Sequence, residues 1–176
     1  MTHLPSRKTL KKIIPLLLAV LFISGFLACE KDDICVDGDT PLLIVRFYDI
    51  NDTTLLKPAT SLRVIGLGQG NPVNTFTDRS STDSIGIPLK IDAAQTDFVF
   101  ILDSATENDA ETGNIDTLRF SYASREVFVS RACGFVVNYD NLTSGPPSDG
   151  TPWIQDIRIV NPTVQNQTSA HVKIFY

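Results

Sequence analysis

Cys29 has the most specific chemistry in this chain, because it ends a segment with the form of a secretory signal. Four basic residues precede an apolar run over residues 13–27, and no acidic residue occurs before Cys29. Ala28 supplies the small side chain that lies before the cleavage point of such signals. Phe26 stands three positions before the cysteine, where Leu is the common residue, so the lipobox match is relaxed. The sequence predicts removal of residues 1–28 and acylation of the Cys29 thiol.

Two alternatives to this lipoprotein signal are an uncleaved membrane anchor and ordinary soluble secretion. A membrane span needs about 20 apolar residues, whereas this run has 15 and is interrupted by Pro15. The small and apolar residues that lead into Cys29 also favour cleavage. Acyl chains on Cys29 would hold the mature chain to a membrane, so the membrane is its first expected partner.

Cys35 and Cys133 are the two cysteines that remain, and they are predicted to form a disulfide. They lie 98 positions apart and form an even pair in an exported, oxidising compartment. A bridge across a loop of that length is worth about 4.7 kcal/mol in the chain-entropy treatment. The alternative is a pair of free thiols. No Cys-x-x-Cys pair occurs and one histidine follows Cys29, so neither a metal site nor a cofactor is predicted.

No catalytic residue is predicted elsewhere in the sequence. His171 is the one histidine after residue 28, and the Gly-x-Ser-x-Gly nucleophile motif is absent. The alternation around His171 places it beside Lys173 on the surface, unless that face of the strand is also covered. Trp153 follows a Gly- and Pro-rich loop and is a candidate ligand contact through stacking on a sugar. The alternative is a core role at the edge of the domain.

Composition and charge exclude several classes of function. The chain has 176 residues, of which 43% are hydrophobic, so it can bury a core and is not broadly disordered. Its formal net charge of −5 becomes −9 when the four basic residues before Cys29 are removed. Such an acidic chain does not have the clustered cations that bind phosphates, and no nucleic acid partner is expected.

The rest of the sequence predicts β-strands. Residues 85–91 alternate apolar and polar side chains, with Pro88 indicating an edge strand, and residues 98–102 form a wholly apolar run typical of a central strand. Cys133, Phe135, Val137 and Tyr139 are expected to face one way. Residues 105–114 are interpreted as a loop with room for one helical turn.

About nine short strands at this spacing predict an all-β fold. The expected architecture is an antiparallel β-sandwich, immunoglobulin-like or similar, with a barrel as the less favoured alternative. The predicted organisation is a signal peptide over residues 1–28, a lipidated tether over residues 29–40 and a single domain over residues 41–176.

Several segments of the mature chain resemble an uncharacterised family of small Bacteroidota lipoproteins, a domain of unknown function. The resemblance implies an exported lipoprotein and no particular activity. It is carried by six segments: residues 29–33, 46–49, 82–85, 128–135, 153–154 and 170–175.

The tetrapeptide Glu30-Lys31-Asp32-Asp33 resembles the export tag of surface-displayed lipoproteins from that phylum. The resemblance implies an outer-membrane location with the domain facing outside. The alternative is a polar linker without a sorting signal, on a lipoprotein that faces the periplasm.

A further resemblance concerns hydroxyl groups. Asp followed by Ser or Thr and then by an aliphatic residue or Thr is similar to the O-glycosylation site of exported Bacteroidota proteins, although the same pairs are common in turns. The pattern occurs four times, so one or more of these hydroxyls is a candidate for modification: Thr53, Ser84, Ser104 and Thr117.

These observations together predict an outer-membrane-anchored lipoprotein of the cell envelope. Its expected role is a non-enzymatic binding or accessory module that contacts an unknown envelope protein or glycan. One alternative is a surface glycan-processing hydrolase, because the two carboxylates of such an enzyme need not form a sequence motif. Another alternative is a structural component of an envelope assembly.

Overall fold

The fold was obtained as a computed structural model, which describes residues 15, 35, 38–147 and 152–176. The chain divides into two compact units, Met1–Cys35 and Val36–Tyr176. The signal segment, Cys29 and the acidic tetrapeptide that follows it lie outside the described residues, so the predictions for them remain predictions. The second unit contains the β-structure described below.

Nine strands are present in the described part of the chain, and they form two sheets. The four-stranded sheet has the order β4-β1-β9-β8, and the five-stranded sheet has the order β3-β2-β5-β6-β7. The strands are β1 (Leu43–Tyr48), β2 (Ala59–Gly66), β3 (Ser80–Thr82), β4 (Ser84–Ile87), β5 (Gln95–Glu107), β6 (Ala110–Ser130), β7 (Gly134–Ser144), β8 (Asp156–Ile159) and β9 (Val172–Phe175).

Period-two alternation places the apolar side chains of both sheets in one core. In β1, Leu43, Val45 and Phe47 are fully buried, whereas Arg46 between them is exposed. Phe98 of β5 and Phe120 of β6 belong to the same core, with ring centroids 6.4 Å apart. Burial of such side chains supplies the main free energy of folding. The predicted all-β sandwich is confirmed.

The predicted central strand over residues 98–102 is confirmed, because β5 is the middle strand of the five-stranded sheet. The edge position predicted from Pro88 is also correct for β4, which ends at Ile87, just before the proline. The alternation does not continue after the strand: Leu89 is buried, but Ile91 is 58% exposed.

The loop predicted over residues 105–114 is wrong. Residues 105–107 of β5 pair with residues 110–112 of β6, which leaves a two-residue connection at Asn108 and Asp109. Both residues have positive φ, 49° and 61°. This is the conformation of the type I′ turn that matches the twist of a hairpin, and Asn and Asp are among the residues that tolerate it. The polar residues therefore extend a hairpin and do not form a helical turn.

The common facing predicted for residues 133–139 does not bring common burial, and Cys133 lies in the turn before β7. Phe135 is 66% exposed, whereas Val136 and Tyr139 are buried. The β6–β7 register is unbroken from Phe135, opposite Phe128, to Asp140, opposite Ala123, so the alternation holds along this part of β7. Burial instead falls toward the turn of the hairpin, where Phe135 is the second residue of the strand.

The described residues contain no helix that is both long and apolar enough to cross a bilayer.

Gly113 lies where the β5–β6 register shifts, and we expect Gly113→Ala to be strongly destabilising. Its φ is +132°, and an added Cβ would lie 2.7 Å from the Leu102 carbonyl oxygen. Backbone strain and overpacking together should cost about 2–4 kcal/mol. Urea denaturation measures this. Gly68→Ala is the control: its φ is +84° but no atom lies within 4 Å of the added Cβ, so about 1 kcal/mol is expected. Equal losses would contradict the close approach.

Candidate functional site

A cleft of about 430 Å³ lies where β2 and β5 meet the segment after β4. Its volume falls in the range of small-molecule sites. The lining combines apolar side chains with amides and one amine: Gly66, Gln69, Asn71, Pro72, Val73, Asn74, Pro88, Leu89, Lys90, Thr96 and Phe98.

One wall of the cleft is the segment Pro88–Leu89–Lys90, which hydrogen bonds hold to the five-stranded sheet. The backbone N–H of Lys90 donates to Thr96 Oγ1 at 3.0 Å, and the Tyr122 hydroxyl donates to the Lys90 carbonyl at 2.8 Å. The Tyr139 hydroxyl donates to the Leu89 carbonyl at 3.0 Å. This wall is therefore fixed before any ligand arrives.

The two tyrosines behind this wall form a buried polar pair. Their rings meet edge to face with centroids 5.0 Å apart. Burial raises the pKa of Tyr139 to about 12, and it also raises the pKa of Tyr122. Because the Tyr122 proton is directed to the Lys90 carbonyl, the Thr96 hydroxyl donates to the Tyr122 oxygen across 2.5 Å. Both phenols therefore stay neutral and act as structural donors.

The opposite wall is the turn that follows β2. Gln69 N donates to the Gly66 carbonyl, and Val73 N donates back to the Val64 carbonyl, each at 2.9 Å. Gly68 and Gly70 have φ of +84° and +73°, a region that glycine occupies without steric cost. The turn therefore directs the exposed amides of Gln69, Asn71 and Asn74 along the rim of the cleft.

Two smaller cavities continue from the cleft along the surface. A cavity of about 340 Å³ shares Lys90 with the cleft and also contacts Asp97. Another of about 250 Å³ shares Asp97 and contacts Arg119 and Thr117. Arg119 donates two hydrogen bonds of 2.8 Å to Asp97, and these hydrogen bonds lower the pKa of the Asp97 carboxyl. A groove with paired charges thus extends the cleft.

The sequence interpretation missed this cleft. The turn-forming composition of residues 66–72 is visible in the sequence, but no role was predicted for the amides within and after that turn. The signal was the clustering of Gln69, Asn71 and Asn74 in one Gly- and Pro-rich connection. Lys90 and Thr96 could not be added from the sequence, because only the pairing of the strands brings them to this turn.

Trp153 is not available as the predicted ligand contact, because only 6% of it is exposed. Its ring lies 5.1 Å from the Tyr176 ring and 6.3 Å from the Phe47 ring. The neighbouring Ile154 N–H donates to the fully buried Asp116 carboxylate at 2.7 Å. This segment therefore connects β6 to the four-stranded sheet, and Trp153 serves the core.

His171 is buried, in contrast to the predicted surface position. Its ring Nδ1 accepts a hydrogen bond from the Ile44 backbone N–H at 3.0 Å, and the backbone N–H of His171 donates to the Ile44 carbonyl at 2.9 Å. Since Nδ1 is the acceptor, the neutral ring carries its proton on Nε2. Burial lowers the pKa of His171, and the Asn166 backbone carbonyl opposes part of that effect. The imidazole is thus a neutral structural group.

The four candidate hydroxyls lie in different environments. Thr53 is exposed in the turn after β1, whereas Ser84 and Thr117 are half-buried within strands. Ser104 is 4% exposed, and its Oγ accepts from Arg79 Nε and donates to Glu111. The Ser104 environment therefore argues against modification there, and Thr53 is the most accessible candidate.

Cys35 and Cys133 are both disulfide-bonded, in agreement with the bridge predicted from the sequence. Cys133 lies in the turn between β6 and β7, where its N–H donates to Ser130 Oγ at 3.1 Å. The described residues contain no cluster of three or more His, Cys, Asp or Glu side chains with metal-site geometry.

The buried His171 gives stability a specific pH dependence. Because its pKa is lower in the folded state than in the unfolded chain, its contribution is complete above about pH 6.5 and declines as the pH falls from there to the native pKa. The free energy of unfolding should fall by up to about 1.4 kcal/mol per pH unit in that window. His171→Asn keeps an acceptor for Ile44 N–H and should remove this slope. Urea denaturation between pH 7.5 and 5.5 measures it, and identical slopes would contradict the assignment.

Comparison with known proteins identifies a family for the chain. The model of DUF6452, a family of unknown function, matches residues 61–176. This match runs from β2 through the last strand and includes the cleft. No curated protein matches the chain. No solved structure matches it either. The chain belongs to DUF6452, a family whose function is unknown.

Proposed function

We propose that this protein is a lipid-anchored module of the bacterial outer membrane, which binds an extended, hydroxyl-rich ligand such as an envelope glycan in the cleft beside Lys90. The observation that carries the proposal is the lining of the cleft, which joins apolar side chains to a rim of neutral amides. The membrane location rests on the sequence signal that ends at Cys29 and on the residues that follow it.

The chemistry of the lining supports this class of ligand. Each amide of Gln69, Asn71 and Asn74 offers donors and an acceptor, which complements hydroxyl groups that also do both. Pro72, Val73 and Pro88, which are half-buried or exposed, supply apolar surface for the C–H faces of a sugar ring. The groove that continues through Asp97 has room for more than one residue of a polymer.

The hydrolase alternative receives no comparable support from this cleft. Its lining contains no carboxylate, whereas glycoside hydrolysis ordinarily uses two. Asp97 in the adjoining cavity is held by Arg119, which stabilises its ionised form. An ionised, paired carboxylate is a poor general acid at neutral pH, so the site favours binding over bond cleavage.

The anchoring part of the proposal predicts the fate of Cys29→Ala in intact cells. Loss of the thiol removes the acylation site, so the variant should be found in soluble fractions, while the wild-type chain stays with the outer membrane. External protease should digest the wild-type chain if the domain faces outside. Protection of the wild-type chain until the outer membrane is opened would contradict surface display and favour the periplasmic orientation.

The binding part predicts chemical-shift changes on titration with soluble neutral and N-acetylated tetrasaccharides. Backbone amide signals of Gln69, Asn71 and Lys90 should move together. Gln69→Ala/Asn71→Ala should raise the Kd about tenfold, because two hydrogen bonds of about 0.5–1.5 kcal/mol each are lost.

The matched control is Gln165→Ala/Gln167→Ala, which removes two exposed loop amides that do not line the cleft. It should leave the Kd unchanged. If neither tetrasaccharide class moves the cleft signals, or if both double variants weaken binding equally, glycan binding at this cleft is wrong.

A further inference from the structure

The tip of the β6–β7 hairpin presents an unusual amount of exposed apolar surface. Phe128 is 56% exposed and Phe135 is 66% exposed, and Val129 beside them is 37% exposed. Phe128 and Phe135 are direct cross-strand partners with ring centroids 5.3 Å apart, so they present one joint surface. Arg131 is exposed in the connecting turn. These four residues are called the hairpin tip below.

The amino-terminal end of the domain runs beside this hairpin. The Val137 N–H, two residues beyond Phe135, donates to Thr40 Oγ1 at 3.2 Å. The chain that leads back to Cys29 therefore leaves the domain next to β7. Cys133 lies within the turn of the hairpin and is disulfide-bonded.

The length of chain before the domain sets how far the hairpin tip can be from the acylated residue. Cys29 precedes Cys35 by six residues, which span at most about 20 Å when extended. The predicted bridge from Cys35 to Cys133 adds at most about 7 Å between their Cα atoms, so Cys133 in the turn of the hairpin stays within about 27 Å of Cys29. An exposed aromatic pair is thus tethered within reach of a bilayer surface.

We infer that the hairpin tip inserts into the interface of the membrane that holds the lipid anchor, with Phe128 and Phe135 at the boundary between headgroups and acyl chains and Arg131 at the headgroup phosphates. This inference rests on the anchoring part of the proposed function. Apolar side chains gain free energy from burial at this depth, and the Arg head stays at the polar level. The hairpin is then a second, non-covalent attachment that orients the domain.

The orientation has a consequence for the cleft. Thr96, which lines the cleft, pairs with Phe120, and Phe128 lies eight residues further along the same strand. At about 3.3 Å per residue this separation is about 25 Å along β6. The inserted tip therefore holds the cleft at a fixed height above the headgroups, outside the membrane.

The test uses full-length, acylated protein labelled with 4-fluorophenylalanine and reconstituted into phosphatidylethanolamine–phosphatidylglycerol vesicles. Fluorine relaxation is measured with a nitroxide on the acyl chains and, separately, with a water-soluble gadolinium chelate. Signals of Phe128 and Phe135 are assigned with the Phe→Leu variants. Phe76, a half-buried residue outside the hairpin, is the internal reference. Lipid-free Cys29→Ala protein supplies the reference state in which the tip faces water.

In vesicles, the fluorine signals of Phe128 and Phe135 should be relaxed less by the chelate than in lipid-free protein, and they should be relaxed by the nitroxide lipid. The Phe76 signal should show neither change. Acylated, vesicle-bound protein whose two tip signals still respond to the chelate and not to the lipid would overturn the inference and leave the anchoring intact. If the two tip signals are protected from the chelate in lipid-free protein as well, and if this protection rises with protein concentration, the tip contacts a second copy of the chain and the inference is overturned.

Mass spectrometry of the mature amino terminus shows whether Cys29 is acylated at all. If Cys29 carries no acyl chains, the proposed anchoring fails, and the inference fails with it for that reason alone.

A matched pair of variants extends the test. Insertion of the hairpin tip should slow the backbone hydrogen exchange of residues 131–133 in vesicle-bound protein relative to lipid-free protein. Phe128→Thr/Phe135→Thr should abolish this slowing. Leu55→Thr/Ile91→Thr, which removes equally exposed apolar side chains from other turns, should not.

Discussion

The position of the last strand between β1 and β8 is the constraint on which the four-stranded sheet depends. β9 pairs in parallel with β1 and antiparallel with β8, and no other strand connects those two. Its side chains Val172, Ile174 and Phe175 are almost completely buried. The hydrogen bond from Ile44 to His171 spans 127 positions, so the sheet closes only after the whole chain has come together. Such non-local pairing carries a large loop-closure cost that burial must offset.

Buried polar groups complete this arrangement at the ends of the paired elements. His171 accepts a hydrogen bond from the Ile44 N–H, and Asp116 accepts one from the Ile154 N–H. In both cases a side chain satisfies a backbone donor, which would cost free energy if it were buried without a partner. The one histidine after residue 28 and the fully buried Asp116 carboxylate are therefore used to hold the fold together. Neither side chain lines the cleft.

The cleft and the hairpin tip share one structural origin, the unequal lengths of the strands in the five-stranded sheet. β6 has 21 residues and β5 has 13, so β6 and its partner β7 continue past the beginning of β5. Where β5 begins, the Pro88–Lys90 segment and the turn after β2 form the cleft. Where β6 and β7 continue, their side chains lose the cover of the opposite sheet and become exposed. The same extension that holds the Pro88–Lys90 wall through Tyr122 and Tyr139 thus supplies the proposed membrane contact.

The sequence by itself determined the all-β class, the central strand over residues 98–102 and the edge position of β4, because alternation and Pro placement report directly on one strand and its two faces. It also predicted the disulfide, from an even pair of cysteines. The signal and the anchor stay predictions, made from local patterns of charge and small residues. The tertiary structure alone decided that Ser104, Trp153 and His171 are buried and that Phe135 is exposed. The burial of a residue depends on which other segments of the fold cover it. It likewise decided the cleft, because Lys90 and Thr96 reach the amide-bearing turn only through pairing between distant segments, which no local pattern specifies.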